Sequence, residues 1–547
     1  MVSRAGAPLC PGLSAIMKLK WTSFDPTDDP DSVRETAWPG DARLAGGGRG
    51  ARVSRRRGRC SLALRTGLSA LVFSLALLAA SSGWSGKAMA QDWKSSVISE
   101  MDRGSAPFDA LSRQIWKLAE LSFEEHRSAS LLADVLRKAG FSVQTHLGDM
   151  PTAFVATAGS GGPVVAFLGE YDALPGLQQE AVARKQPTGM LGAGHGCGHN
   201  LLGTAAAWAA IQTWSSLQKE GRPGTVKFFG CPAEENGCGK VHLLRAGAFA
   251  GVDVALTWHP DDRNEPGMRS TLANVGAAVR YRGVSAHAAK APEKGRSSLD
   301  AIQLMSHAVE LLREHVPSET RMHYYISHGG TAPNVVPDFA ELKITVRHPE
   351  STVLQSVWKR VLKCAEAGAL ATETKLEIEI LGALSNVIPN DTLAKLAEVN
   401  MQTVGGVRYD AEELRFAEAL RELLPPEGKP GLDLAGKVFP IQDGVTPWST
   451  DVGDVSWNVP TGEIRAAAFA PGVTPHTWQS TACSGMSIGE KGMRVAAKTM
   501  ALTALDVFRE PGLVQNAKRD LQRRLNGRAY VSMIPTDAKP RLPAPRP

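Results

Sequence analysis

Long apolar runs are scarce in this 547-residue chain. The most membrane-like stretch, "LSALVFSLALLAA" over 68–80, spans 13 residues. A transmembrane helix needs about 20, so no stable span is expected. Internal repeats are absent, which excludes solenoid and propeller arrays. Net positive charge is absent where it would matter. The net charge is +6, but residues 1–90 hold 13 basic and 6 acidic residues, leaving 48 and 49 in the remainder. With no basic stripe beyond the leader, nucleic-acid binding is not expected. No G-x-S-x-G elbow or thiol-protease signature is present, so a serine or cysteine nucleophile lacks support. The seven cysteines include five beyond residue 90: Cys197, Cys231, Cys238, Cys364 and Cys483. That odd number leaves at least one free thiol, with a Cys231–Cys238 bridge open.

The first ninety residues read as a leader. Residues 1–53 are rich in Gly, Pro, Asp and Arg without periodicity, as in disordered segments, and a true start at Met17 or Val53 is open. "SRRRGRC" (54–60) supplies a positive region, the apolar run follows, and "AMA" (88–90) fits a small-x-small cleavage site. A secretory signal cleaved after Ala90, and a periplasmic or secreted mature protein, are expected. An uncleaved anchor and a twin-arginine route are the alternatives.

Past residue 90, strands and helices alternate. A helical pattern runs from Ala106 to Gly140, and the strands "FSVQTHL" and "TAFVATAG" follow. Buried strands "PVVAFLGEYDALP" (163–175), "GTVKFFGCPAEE" (224–235) and "VDVALTWHP" (252–260) flank the Ala-rich helix 200–218. This implies an α/β catalytic domain with a mostly parallel sheet, its first part over 91–273. Residues 274–388 read strand–helix–strand–helix–strand, an inserted α+β lid. The first pattern resumes over 389–515 and includes a helix at 489–510. A tail, 516–547, ends in "PRLPAPRP".

Four clusters can meet at the carboxyl edge of such a sheet: Cys197 and His199 in "GHGCGHN", Glu234 and Glu235, His259, and His476 in "PGVTPHTWQ". A thiolate, imidazoles and a carboxylate suit Zn or another mid-row divalent ion. Scattered ligands fit a catalytic site better than a small structural module. Each residue alone has a plainer reading. His259 is then a hydrogen-bonded histidine, Glu234–Glu235 a solvated helix start, and Cys197 a buried thiol or half of a disulfide.

The motifs "EYDALPG", "GAGHGCGHNLLGTAAA", "CPAEENGCGK", "GVSAHAA", "GGTAPNVVPDFAEL" and "STDVGDVSW" resemble, in order and spacing over roughly 95–510, the metallo-amidohydrolase and peptidase family of aminoacylases, auxin-conjugate hydrolases and carboxypeptidase G-like enzymes. Within it they are most similar to the aminobenzoyl-glutamate hydrolase B-subunit branch. The resemblance implies a dinuclear catalytic domain and a lid that dimerises, through a homodimer or with a related subunit. It implies two divalent ions per subunit, Zn or Mn, held by Cys197, His199, Glu235, His259 and His476. It makes Glu234 the general base and gives Asp172 the orienting of a metal ligand. His287, reaching a partner's site, would stabilise the oxyanion, while Asn334 and Arg347 would bind substrate. His195 is not carried over as a ligand. Glu170-Tyr171-Asp172 stands where many relatives have His-x-Asp. The expected reaction is hydrolysis of an N-acyl or N-aroyl amino acid of the aminobenzoyl-glutamate type. A dipeptidase, another N-acyl-amino-acid hydrolase of the family, or a non-catalytic binding relative is the alternative.

Overall fold

The computed structural model describes residues 93–187, 192–426 and 429–543. The basic segment, apolar run and cleavage site of the leader, with Cys10 and Cys60, lie outside the described residues. No helix among the described residues is long and apolar enough to cross a membrane.

The helical pattern that opens at Ala106 folds as two helices, α1 (Ala106–Leu118) and α2 (His126–Lys138). Ala119 and Phe123, both at left-handed φ, break it. The turn is held by side chains that periodicity does not weigh. The Glu120 carboxylate accepts from the amides of Arg127 and Ser128, the first orphan donors of α2. Phe123 is buried beside them. The break matters because it places Ser122 over the candidate site.

The strands of the larger sheet are β1 (Ser142–Thr145), β2 (Phe154–Ser160), β3 (Val164–Glu170), β4 (Gly224–Cys231), β5 (Val254–Asp261) and β6 (Glu265–Gly267). The lid strands β7 (Ala273–Arg282), β8 (Arg321–His328), β9 (Phe339–His348) and β10 (Lys375–Leu384) follow, and β11 (Thr461–Ala467) returns to the larger sheet. Its spatial order is β1-β2-β4-β3-β5-β11-β6. The four central strands β4, β3, β5 and β11 run parallel, and the edges are antiparallel. Helix α3 (His199–Glu220) packs on this centre. Its Ala205–Ala207 and Ala209–Ala210 are buried, and it is apolar nearly all round because other helices cover its outer side.

The lid is a four-stranded antiparallel sheet in the order β10-β7-β9-β8. Helices α4 (Ser298–Arg313) and α5 (Ser351–Thr372) cover one face. Ala340, Leu342, Ile344 and Val346 of β9 point into that core in strict alternation. Three strands were expected, and β8 is the fourth. "RMHYYISH" is an edge strand that buries mainly Met322 and leaves Tyr325 and Ile326 exposed, so its alternation is faint. Strand β11 also lacks a sequence signature. Glu463 and Arg465 interrupt its apolar run, yet both are held inside the fold.

Helix α6 (Asp391–Val404) follows the lid, and α7 (Ser487–Arg509) closes the catalytic core against α3 and β11. The segment read as a tail from residue 516 is structured. It opens within helix α8 (Gly512–Leu525), and the chain beyond it straps across both domains. Tyr530 donates to Asp454 at 2.9 Å in the catalytic part, and Arg528 pairs with Glu350 of the lid. Ile534 is buried in the lid core, and Arg245 donates to the carbonyls of Thr536 and Ala538. Proline content at the very end hid an apolar anchor just before it. Truncation after Asn526 removes Ile534 from that core, worth about 1.5–3 kcal/mol. Differential scanning calorimetry should show a melting midpoint several degrees lower.

Candidate metal centre

The carboxyl ends of β3, β4 and β5, together with the N-terminus of α3, bring the chemistry together. Strand β3 ends at Glu170, and Asp172 follows. Strand β4 ends at Cys231, after which Ala233 turns in the left-handed region and aims Glu234 and Glu235 back over the sheet. The buried Glu125 accepts from the Ala233 amide at 2.8 Å and from Thr152 at 3.0 Å. Burial, and then the nearby Asp172 charge, push its carboxyl up to about 8. Strand β5 carries His259.

Cys197 and His199 sit where a loop enters α3. Gly198 has φ +73°, and a Cβ there would meet the Pro260 ring at 2.8 Å, so glycine is needed. His476 also has positive φ, unusual for a non-glycine residue. Its amide donates to Gly196 O at 3.0 Å, and Ser480 donates to the same carbonyl at 2.7 Å. Thr477 caps the helix Trp478–Ser484 immediately after it. Two loops far apart in the sequence are thereby locked together.

Four sets of potential ligand atoms lie within 4.8 Å of one another: Cys197, His199 and His259; Cys197, Glu235 and His476; Glu170, Glu234 and His259; and His199, Glu234 and Glu235. All five residues expected as ligands fall in these sets, with Glu234 among them. Asp172 does not. It accepts from His199 Nδ1 at 2.9 Å, from Ser122 Oγ at 3.0 Å and from the Glu235 amide at 3.0 Å. Burial alone would raise its carboxyl, but the hydrogen bonds and the His199 charge outweigh that and hold it below the usual range. Burial opposes a charge on His199, but the Cys197 thiolate and the Asp172 bond outweigh it and hold the ring well above the usual imidazole range. An ionised Asp172 only accepts, so Nδ1 keeps its proton, and Nε2 presents a lone pair once the ring gives up the other. His259 is treated the same way. Its Nδ1 faces Glu463 Oε1 at 3.3 Å, and Glu463 in turn faces Arg465 at 3.4 Å. Sequence reasoning missed Glu463, whose signal was a pair of charges on an otherwise apolar central strand.

The lone pairs point at one another. Glu170 Oε2, His199 Nε2 and Glu235 Oε1 are buried and have no hydrogen-bond partner. His199 Nε2 lies 3.2 Å from Glu170 Oε2 and 4.0 Å from Glu235 Oε1, while His476 Nε2 lies 3.4 Å from Glu235 Oε1. With the imidazoles neutral these atoms are all acceptors, and they converge stably only around protons or metal cations. Burial pushes the Glu234 carboxyl well above its usual range, and the charges of Glu170, Glu235 and Asp451 add to that. Burial also opposes the Cys197 thiolate, but the His199 charge beside it prevails and the thiol is held below its ordinary value. Soft thiolate, imidazole and carboxylate donors together fit divalent metal ions.

The remaining expected residues lie elsewhere. His195 Nε2 donates to Ile115 O at 3.1 Å, and burial pushes the ring down to about 3, so it is a neutral support. His287 and Asn334 come together at an exposed lid tip. The Ala288 amide donates to Asn334 O at 3.0 Å, and His287 Nδ1 accepts from the amides of Ala289 and Lys290 at 3.2 Å. Arg347 sits at the opposite end of the lid sheet, in register with Asn274 and Arg321. It does not share a subsite with His287 and Asn334 within one chain. All five described cysteines are free, so no Cys231–Cys238 bridge exists. Cys231 belongs to the catalytic core, and Cys238 packs against the lid core.

A parallel-centred sheet gathering such donors at its carboxyl edge, with a separate antiparallel domain inserted, defines a metal-dependent hydrolase of the two-domain type. Residues 272–373 match the family model for a peptidase dimerisation domain. The chain is 42% identical to the B-subunit of p-aminobenzoyl-glutamate hydrolase from Escherichia coli K12, covering 79% of this chain and 95% of that protein. It is 32% identical to Xaa-Arg dipeptidase of Mus musculus, with 79% and 93% covered. The crystal structure of an aminobenzoyl-glutamate utilization protein from Klebsiella pneumoniae matches with a TM-score of 0.53 at 20% identity, covering 75% of this chain and 98% of that one, a likeness of fold. The chain belongs to the M20 family of metal-dependent peptidases and amidohydrolases, enzymes that cleave carbon–nitrogen amide bonds.

Asp172→Asn leaves His199 free to rotate or change tautomer. Metal affinity should fall about 10–100-fold. Chelator competition followed by elemental analysis measures it.

Proposed function

We propose that this chain is a dinuclear amidohydrolase that cleaves the amide bond of an N-aroyl or N-acyl amino acid, with p-aminobenzoyl-glutamate as the first substrate to test. The single observation that carries the reading is the convergence of buried, unpartnered acceptors around Glu234 at the sheet edge. The similarity to the B-subunit of p-aminobenzoyl-glutamate hydrolase favours the aroyl substrate over the dipeptide of the Xaa-Arg dipeptidases.

In this reading Cys197, His199, Glu235, His259 and His476 hold two divalent ions, Zn or Mn. Bound there, divalent ions would supply Lewis acidity, lowering the pKa of a bound water and polarising a carbonyl. The Glu234 carboxylate takes the proton from the attacking water and delivers it to the leaving amine. Asp172 and Glu463 hold the His199 and His259 rings with Nε2 toward the site. His287 is the oxyanion donor, offered to a second subunit from the lid tip, and Asn334 beside it contacts the substrate. Arg347, at the other end of the lid sheet, stays a candidate to pair with a substrate carboxylate.

The lid supports assembly into a homodimer, or pairing with a related subunit. Edge strand β8 leaves Tyr325 and Ile326 exposed, and α4 leaves Leu304 and Leu311 exposed. An unpaired strand edge beside apolar side chains favours pairing with another chain. We also propose cleavage after Ala90 and a periplasmic or secreted mature enzyme, supported by the leader's composition. N-terminal sequencing of the exported protein tests it.

Glu234→Gln should keep both ions and lose activity by about 100-fold or more. A panel of N-acyl and N-aroyl amino acids, assayed with and without chelator, reads it out. Turnover that survives complete metal removal would reject the proposal. Because His287 acts in trans, Glu234→Gln and His287→Ala should complement each other. Mixed after dissociation, they should regain about a quarter of wild-type activity, since about half the dimers carry one intact site. Continued inactivity of verified mixed dimers would remove His287 from the partner's site.

A further inference from the structure

Glu170 is not among the ligands expected from the motifs, and its surroundings are unusual. It is fully buried at the end of β3, as are its partners Lys240 and Asp451. Lys240 Nζ donates to Glu170 Oε1 at 2.6 Å and to Asp451 Oδ1 at 2.6 Å, while the Lys240 amide donates to Asp451 Oδ2 at 2.8 Å. One oxygen of Glu170 is therefore fully engaged. The other, Oε2, has no hydrogen bond and faces two imidazole nitrogens, His199 Nε2 at 3.2 Å and His259 Nε2 at 3.5 Å.

The opposite nitrogens of both rings already face carboxylates, Asp172 and Glu463. When the rings are neutral, both Nε2 atoms present lone pairs and Glu170 Oε2 a third, a set that only protons or a metal ion can hold together. The spacing matches a metal shell. Ligands at about 2.0–2.1 Å on tetrahedral corners stand about 3.3–3.4 Å apart.

We propose that Glu170 is a further metal ligand of this enzyme, giving Oε2 to the ion shared with His199 and His259, and that Lys240 and Asp451 are positioning residues that fix its rotamer and ionised state. The inference rests on the dinuclear reading above. Lys240 grips Oε1 and leaves Oε2 aimed inward. Asp451, from the "STDVGDVSW" motif, holds Lys240 by both its amide and its ammonium group. A buried lysine between two carboxylates leaves one net negative charge, which the ion would neutralise.

The test is metal binding by the purified mature enzyme, read by elemental analysis, chelator competition and the visible spectrum of the cobalt-substituted protein. The wild type should hold two ions per chain. Glu170→Gln should weaken one of them about 100-fold or more and alter the cobalt spectrum, while the loss of the charge paired with Lys240 also lowers the metal-free melting midpoint. Glu170→Asp keeps the charge for Lys240 but withdraws the oxygen by one methylene, and should show the same loss of affinity should the Gln variant fail to fold. Lys240→Met should lower both the melting midpoint and the affinity, and Lys240→Arg should restore part of each. Two ions bound by Glu170→Gln with unchanged affinity and spectrum would overturn Glu170 as a ligand while leaving the dinuclear reading intact. A wild type that binds fewer than two ions would overturn the dinuclear reading itself.

Discussion

The convergence of carboxylates and imidazoles on one buried space is the constraint on which this structure turns. Glu170 Oε2, His199 Nε2 and Glu235 Oε1 are buried, aimed at that space and without a hydrogen-bond partner, so only cations among them, protons or metal ions, balance the set. Folding into that arrangement is costly without cations, because a buried polar atom left unpaired costs about 1–3 kcal/mol, and more when charged. The rest of the catalytic domain works to hold it. The parallel centre of the sheet brings three strand ends level. Helix α3 supplies His199 from the side. The left-handed turns at Gly198, Ala233 and His476 let short loops double back over the sheet edge.

Around the centre lies a ring of carboxylates that touch imidazoles or lysine. Asp172, Glu463, Glu170 and Asp451 are buried, and each is paired. Removing one partner of such a buried pair costs about 3–5 kcal/mol. The ring therefore fixes ring orientations and tautomers firmly, at the expense of stability elsewhere. The apolar packing of α3 and α7 on the sheet offsets that expense, as does the C-terminal strap that joins Ile534 to the lid core.

The lid extends the same logic to assembly. One face of its sheet is sealed by α4 and α5. Its outer edge strand and the lid tip with His287 and Asn334 remain open. Nothing in the chain's own catalytic part meets His287 by hydrogen bond among the described residues. In the proposed reading, a catalytic domain that carries the metal ligands and a lid tip that carries His287 would together be one half of a two-chain site.

Sequence by itself determined much. Alternation and apolar runs marked β2, β3, β4, β5, β7 and β9, because buried strands need contiguous or alternating apolar residues. Spacing in "GHGCGHN" and "CPAEE" marked the donors, because metal ligation demands particular side chains whatever the fold. Composition confined the net positive charge to the leader. Tertiary structure alone decided the remainder. Edge strand β8 and the strap over 526–543 are stabilised by contacts far away in sequence, so local pattern barely shows them. Glu463, Glu170, Lys240 and Asp451 read as ordinary charged residues along the chain. Only their burial and their pairing, which joins Lys240 to a carboxylate 70 positions before it and to another 211 positions after it, make them the frame of the metal centre. Likewise, Arg347 and His287 belong to one lid in sequence, but the length of β7 and β9 sets them at opposite ends. Residue type is a local property and can be read directly. Which atom faces which is a property of the fold.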